Sequence, residues 1–130
     1  MNVAVLLFEE FETLDVFGPV EIFGRLKDHY KVSFYSMEGG LVKNSHGVFI
    51  LTENLEVIKD GVDIFLIPGG YGTRIEVNNT GLIDKVRTIC QLSKFALTVC
   101  TGSVLLAKTG LLDGKKATSN KKAFDWVITQ

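Results

Sequence analysis

The chain has 130 residues, a formal net charge of -1 and 46 % hydrophobic residues. That length suits one domain, residues 1–130, and the apolar content argues against disorder. The near-neutral charge and the lack of a basic stripe exclude a nucleic-acid footprint, and no apolar stretch is long enough to span a membrane.

Residues 2–8 read as an apolar strand. Its core, Val3 to Phe8, is too short for a secretory signal and is followed by acids, so the protein is expected in the cytoplasm. A helix is expected over residues 14–26. Proline does not sit comfortably inside a helix, so its regular part is expected to start at Pro19. Residues 30–36 alternate as a strand, Glu38-Gly39-Gly40 is a turn, residues 48–51 are a short strand or hairpin arm, and residues 53–59 are a loop or short helix. Residues 62–67 form a buried strand, closed sharply by Pro68-Gly69-Gly70. Residues 82–92 read as an amphipathic helix in which Cys90 is a small buried hydrophobe. Residues 95–99 are short, apolar and partly β-branched, and read as another buried strand. A helix follows over residues 101–109, with Gly110 as its stop. Residues 115–118 read as the start of a strand and residues 121–128 as a helix.

Strands that alternate with helices, two of them nearly continuous apolar runs, predict a parallel sheet covered on both faces. Ligands of such sheets bind at the carboxyl ends of the strands. Three polar features fall there: the loop after Phe8, the Gly69-Gly70 pair, and Cys100.

Cys100 is the most informative residue. It sits where a strand turns tightly into a helix, near the positive end of a helix dipole, a setting that favours the reactive thiolate. The arrangement has the form of a nucleophile elbow with cysteine in place of serine. Gly69 and Gly70 can turn backbone N–H groups toward the same crevice, and the Thr101 N–H is a natural second donor for developing negative charge; the alternative is a plain tight turn. Among the acids Glu9, Glu10, Glu12, Asp15 and Glu21, Asp15 stands out by its apolar neighbours Leu14 and Val16. A carboxyl there can serve as general acid/base or as an orienting donor to the thiol. Glu12 is the second candidate, and Glu21 is a helix-face acid or a supporting partner. His46 reads as a turn residue and His29 as a surface one, so no Cys–His pair is expected. No metal-ligand spacing occurs, and with no secretory signal Cys90 and Cys100 are expected as free thiols. Arg74 reads as a solvent-exposed arginine, with contact to an anionic group as the alternative. Phe17 and Phe23 belong to the core or to an interface.

Four segments carry a resemblance when taken in order: Leu14-Asp15-Val16-Phe17-Gly18-Pro19-Val20-Glu21, Ile67-Pro68-Gly69-Gly70, Val99-Cys100-Thr101-Gly102, and Gly110 through Thr118. Together they resemble the DJ-1/ThiJ/PfpI superfamily, which is class I glutamine amidotransferase-like, and within it the isonitrile hydratase branch. The amidase-like domains of some AraC-type regulators share these motifs. The resemblance implies a flavodoxin-like doubly wound α/β sandwich with a mainly parallel sheet, usually a homodimer, acting on a small-molecule substrate. It implies no cofactor, no metal, no nucleic acid and no membrane. Cys100 matches the nucleophile, Asp15 the acid that contacts it, and the Gly70 and Thr101 N–H groups the oxyanion hole, with Gly69, Glu21 and Glu12 in support. In isonitrile hydratase chemistry Cys100 would attack the isonitrile carbon while Asp15 and Thr101 manage protons and water.

The chain departs from the pattern twice. Many members carry a histidine just after the Ala117-Thr118-Ser119 segment, where this chain has Asn120, which weighs against a Cys–His protease or amidase route. Members also continue with further strands and a final helix, so the C-terminal part of the usual fold is expected to be missing here. The readings weighed are a cysteine-dependent hydratase or hydrolase of a small carbon–nitrogen substrate, a glyoxalase- or deglycase-like activity, and a non-enzymatic redox or ligand sensor using the same cysteine.

Overall fold

A computed structural model describes residues 1–130. Strand β1 (Asn2–Leu6) leads through helix α1 (Thr13–Arg25) to β2 (Lys31–Ser36). A hairpin of β3 (Gly40–Lys43) and β4 (Phe49–Asn54) follows, and then β5 (Ile64–Ile67). Helices α2 (Thr73–Glu76) and α3 (Thr80–Leu92) precede β6 (Phe95–Thr98), and α4 (Gly102–Lys108) and α5 (Phe124–Val127) complete the chain. The six strands form one sheet in the order β3-β4-β2-β1-β5-β6, parallel except for the antiparallel β3–β4 pair. This is the flavodoxin-like α/β arrangement expected from the alternation of elements.

The centre of the sheet holds the core. Val3 to Leu7 of the first strand and Ile64 to Ile67 of β5 are buried, with Phe11, Val16, Leu55, Val86, Ile89 and Leu105 packed around them. Each fully buried aliphatic or aromatic side chain contributes about 1.5–3 kcal/mol, so this two-strand centre fixes the frame on which the loops sit. No helix is long and apolar enough to cross a membrane.

Four expectations are corrected. Helix α1 starts at Thr13, after Glu12 in an extended conformation, and Pro19 lies inside it. Burial of Val16 against the core holds the first turn helical in spite of the proline. Because Pro19 has no N–H, the Asp15 carbonyl one turn earlier has no i+4 donor. Strand β6 is not buried: it is the sheet's edge, and Phe95 and Leu97 are 55 % and 39 % exposed. Residues 115–118 form no strand, and residues 121–128 split into a 3-10 turn (Lys121–Ala123) and the short α5. Two elements, β3 and α2, were not expected at all.

Candidate active site

The register Ile67↔Thr98 brings the carboxyl ends of β5 and β6 level, so Gly69-Gly70 and Cys100-Thr101 face the same crevice. The first turn of α1 adds Asp15. The three segments pack so closely that a side chain at Gly69 would not fit. A Cβ there would lie 2.7 Å from the Thr101 nitrogen and 2.8 Å from Asp15 Oδ2.

Cys100 adopts a φ of 53°, in the left-handed region that L-residues avoid at a cost of about 1–2 kcal/mol. Such strain persists only where the surroundings over-determine it. Here the Ser103 and Ser119 hydroxyls both donate to the Cys100 carbonyl at 3.1 Å, and the Gly102 N–H donates to the Val99 carbonyl at 2.9 Å. Gly102 lets α4 approach β5, since a Cβ at that position would overlap the Ile67 carbonyl. The elbow read from the sequence is therefore present, with its geometry held from both sides.

Two polar groups flank the sulfur. Asn120 Nδ2 lies 3.1 Å from it. The Asp15 carboxyl lines the same cleft and accepts from the Gly69 N–H at 3.0 Å. Burial pushes the Asp15 carboxyl above its ordinary value and the nearby Glu12 charge adds to this, while the Gly69 N–H and the Cys100 thiol pull the other way. Asp15 thus holds its proton to a higher pH than an exposed aspartate does, in the same cleft as the thiol.

Thr101 is buried, and its hydroxyl joins a small web. The Gly70 N–H donates to Thr101 Oγ1 at 3.2 Å, and Thr73 Oγ1 lies 3.0 Å from Thr101 Oγ1 and 2.7 Å from the Gly70 carbonyl. Of the two backbone donors expected for the oxyanion hole, the Thr101 N–H has no acceptor, whereas the Gly70 N–H is engaged by the Thr101 hydroxyl.

The resulting cleft has a volume of about 360 Å³ and is lined by Glu12, Asp15, Gly70, Cys100, Thr101 and Asn120, with the cations Arg74 and Lys122 also on its wall. Glu21 lies outside it: it is exposed and pairs with Arg25 at 2.7 Å. His46 is also outside it, with Nδ1 2.6 Å from Thr13 Oγ1. A cavity of similar size, about 410 Å³, lies at the opposite end of the sheet around Asn2, Lys31 and Gly61, and no cysteine lines it. Cys90 is inert by contrast with Cys100, since burial pushes its thiol up to about 12. No group of three or more His, Cys, Asp or Glu side chains converges to hold a metal.

The model of the DJ-1/PfpI family matches residues 1–130. The chain belongs to the DJ-1/PfpI family. It is 27 % identical to isonitrile hydratase of Pseudomonas putida over 99 % of this chain and 56 % of that protein. It is 29 % identical to deglycase PfpI of Pyrococcus furiosus over 92 % of this chain and 72 % of that one. Among solved structures, a ThiJ/PfpI family protein from Pseudomonas syringae superposes with a TM-score of 0.89 at 26 % identity, over 98 % of this chain and 53 % of that one. The chain thus spans little more than half the length of the hydratase and of the Pseudomonas syringae protein.

For a DJ-1/PfpI chain the elbow and its acid are legible from sequence. The polar groups that complete the cleft are not. Thr73 and Ser119 reach Thr101 and the Cys100 carbonyl from 28 and 19 residues away in the chain. Arg74 reaches the cleft because its guanidinium stacks between Tyr71 and Trp126, at 4.6 Å and 4.7 Å from the ring centres. The Tyr71-Gly72-Thr73-Arg74 segment gave one weak hint: glycine before a short helix. Gly72 sits so close to Glu9 that a Cβ would overlap its carbonyl.

Proposed function

We propose that this protein is a cysteine-dependent hydratase of small carbon–nitrogen electrophiles, with isonitriles as the reference substrate. Cys100 is the nucleophile and Asp15 the proton carrier. One observation carries the reading: the Asp15 carboxyl, anchored by the Gly69 N–H, lines one cleft with the Cys100 thiol, and no histidine lines it. An isonitrile carbon needs a proton donor as the sulfur attacks, whereas amide hydrolysis needs a base for the nucleophile and an acid for the leaving amine.

In the first step the Cys100 sulfur bonds to the isonitrile carbon and the Asp15 carboxyl gives its proton to the same carbon. The product is a thioimidate with a carbon–nitrogen double bond. Water then adds across that double bond, its hydroxyl going to carbon and one proton, relayed by Asp15, to nitrogen. In the last step the hydroxyl proton passes to the Asp15 carboxylate, the carbon–sulfur bond breaks, and an N-substituted formamide leaves. Thiolate and carboxylic acid are both restored. The Thr101 N–H, which has no acceptor in the chain, steadies negative charge in the adducts.

A second reading is a deglycase- or glyoxalase-like activity on small aldehydes, favoured by the similarity to deglycase PfpI. Both readings use Cys100, but the aldehyde route also needs a general base, and Asn120 cannot act as one. Incubation with cyclohexyl isonitrile and, separately, with isocyanoacetate, followed by NMR for the formamide, separates them from each other and from a sensor role. Turnover that disappears in Cys100→Ala supports the hydratase. Consumption of methylglyoxal without formamide formation transfers the assignment to the second reading. Peroxide-driven oxidation of Cys100 with no turnover of either compound leaves a sensor.

A further inference from the structure

Two cations on the cleft wall have no partner. The Arg74 guanidinium makes no hydrogen bond or ion pair through its side chain, and neither does the Lys122 ammonium; all five ion pairs of the chain involve other residues. Both nevertheless line the same cleft as Cys100. Glu12 and Asp15 line the cleft with them, but neither carboxyl forms an ion pair with Arg74 or Lys122.

Arg74 is also fixed. Its guanidinium carbon lies over the Tyr71 and Trp126 rings, 4.6 Å and 4.7 Å from their centres. These cation–π contacts hold the group while its N–H donors meet no acceptor of the chain. An arginine held this way loses little further freedom on binding, and its planar fork matches a carboxylate in a two-point contact. An arginine that merely faced solvent would not need clamping by residues from two separate stretches of chain.

We propose that Arg74, aided by Lys122, determines specificity by binding a carboxylate on the non-reacting end of the substrate. The inference rests on Cys100 being the nucleophile and narrows the substrate class to carboxylate-bearing carbon–nitrogen electrophiles such as isocyano acids. In that pose the carboxylate lies on the Arg74 edge while the reacting carbon meets the sulfur between Asp15 and Asn120. The cleft, at about 360 Å³, has room for a short acid of this kind.

Two measurements on the 130-residue protein test this. The first compares alkylation of Cys100 by iodoacetate with that by iodoacetamide, which differ in charge but hardly in size. The ratio of the two rates is expected to exceed that of the urea-unfolded chain by about tenfold. It should fall to the unfolded value in Arg74→Gln and fall part-way in Lys122→Gln and Arg74→Lys. The second uses the single tryptophan, Trp126, as a reporter that does not depend on the cysteine. Its fluorescence should saturate with N-formylglycine, not respond to N-ethylformamide, and lose the response in Arg74→Gln. A rate ratio equal to that of the unfolded chain, or a fluorescence response shared by both formamides, overturns the proposal. Failure of both alkylating reagents alongside a saturable N-formylglycine response overturns the nucleophile reading and leaves the carboxylate site standing.

Discussion

Asn120 Nδ2 lies 3.1 Å from the Cys100 sulfur. A carboxamide can donate to a sulfur but cannot take its proton. Asn120 therefore steadies the sulfur without serving as a base. Replacing it with aspartate sets a carboxylate against the sulfur at the same distance. Asn120→Asp should slow iodoacetamide alkylation of Cys100 by about tenfold or more at pH 7. Asn120→Ser, which keeps a donor, should lose much less. Rates followed by mass spectrometry decide between the two.

The pH dependence of stability should carry Asp15's signature. Its carboxyl holds a proton to higher pH in the fold than its ordinary value near 3.8 allows, chiefly because it is buried. Between those two values the folded chain binds more protons than the unfolded one, so stability falls as pH rises, and the full cost remains above the window. Asp15→Asn keeps an oxygen for the Gly69 N–H and never ionises. It should melt above the parent at pH 7, and the gap should close as pH falls below 3.8. Thermal melts at pH 3.5, 5 and 7 check this. The same variant should lose formamide production.

The two thiols should label separately. Cys90 is buried, with its thiol pushed up to about 12, while Cys100 faces the cleft. Brief iodoacetamide treatment at pH 8 should add one label, on Cys100, in the folded protein and two in urea. Two labels on the folded protein would show that the α3 helix around Cys90 opens readily.

Backbone strain at Cys100 can be measured by a paired substitution. Cys100→Ala and Cys100→Gly remove the same sulfur contacts, but only glycine relaxes a φ of 53°. Cys100→Gly should therefore be more stable than Cys100→Ala by about 1 kcal/mol in urea titrations, the reverse of their order inside a helix.

Much of this site can be read from the chain. A short apolar run followed by cysteine, threonine and glycine marks the elbow, and the apolar flanks of Asp15 distinguish it from the surface acids around it. The errors have physical causes. The penalty for Pro19 was weighed locally, but burial of Val16 one turn earlier outweighs it and lets α1 begin at Thr13. Phe95 to Val99 have the composition of a central strand, and composition does not reveal an edge position. Gly40–Lys43 is too short to show alternation, so β3 was invisible until paired with β4. The Arg74 clamp joins rings from distant segments, and no local pattern encodes it.

The strained elbow and its acid stand on the sheet and α1, whereas Asn120, Lys122 and Trp126 come from the final stretch after residue 114, which contributes no strand. The reacting groups and part of the wall that surrounds them thus come from different parts of the chain. A library confined to residues 118, 120 and 122 could retune what the cleft admits while leaving in place Ser119, which holds the elbow, and Ala123 and Trp126, which pack on the core. It would give this scaffold a route to new selectivities that does not pass through unfolded intermediates.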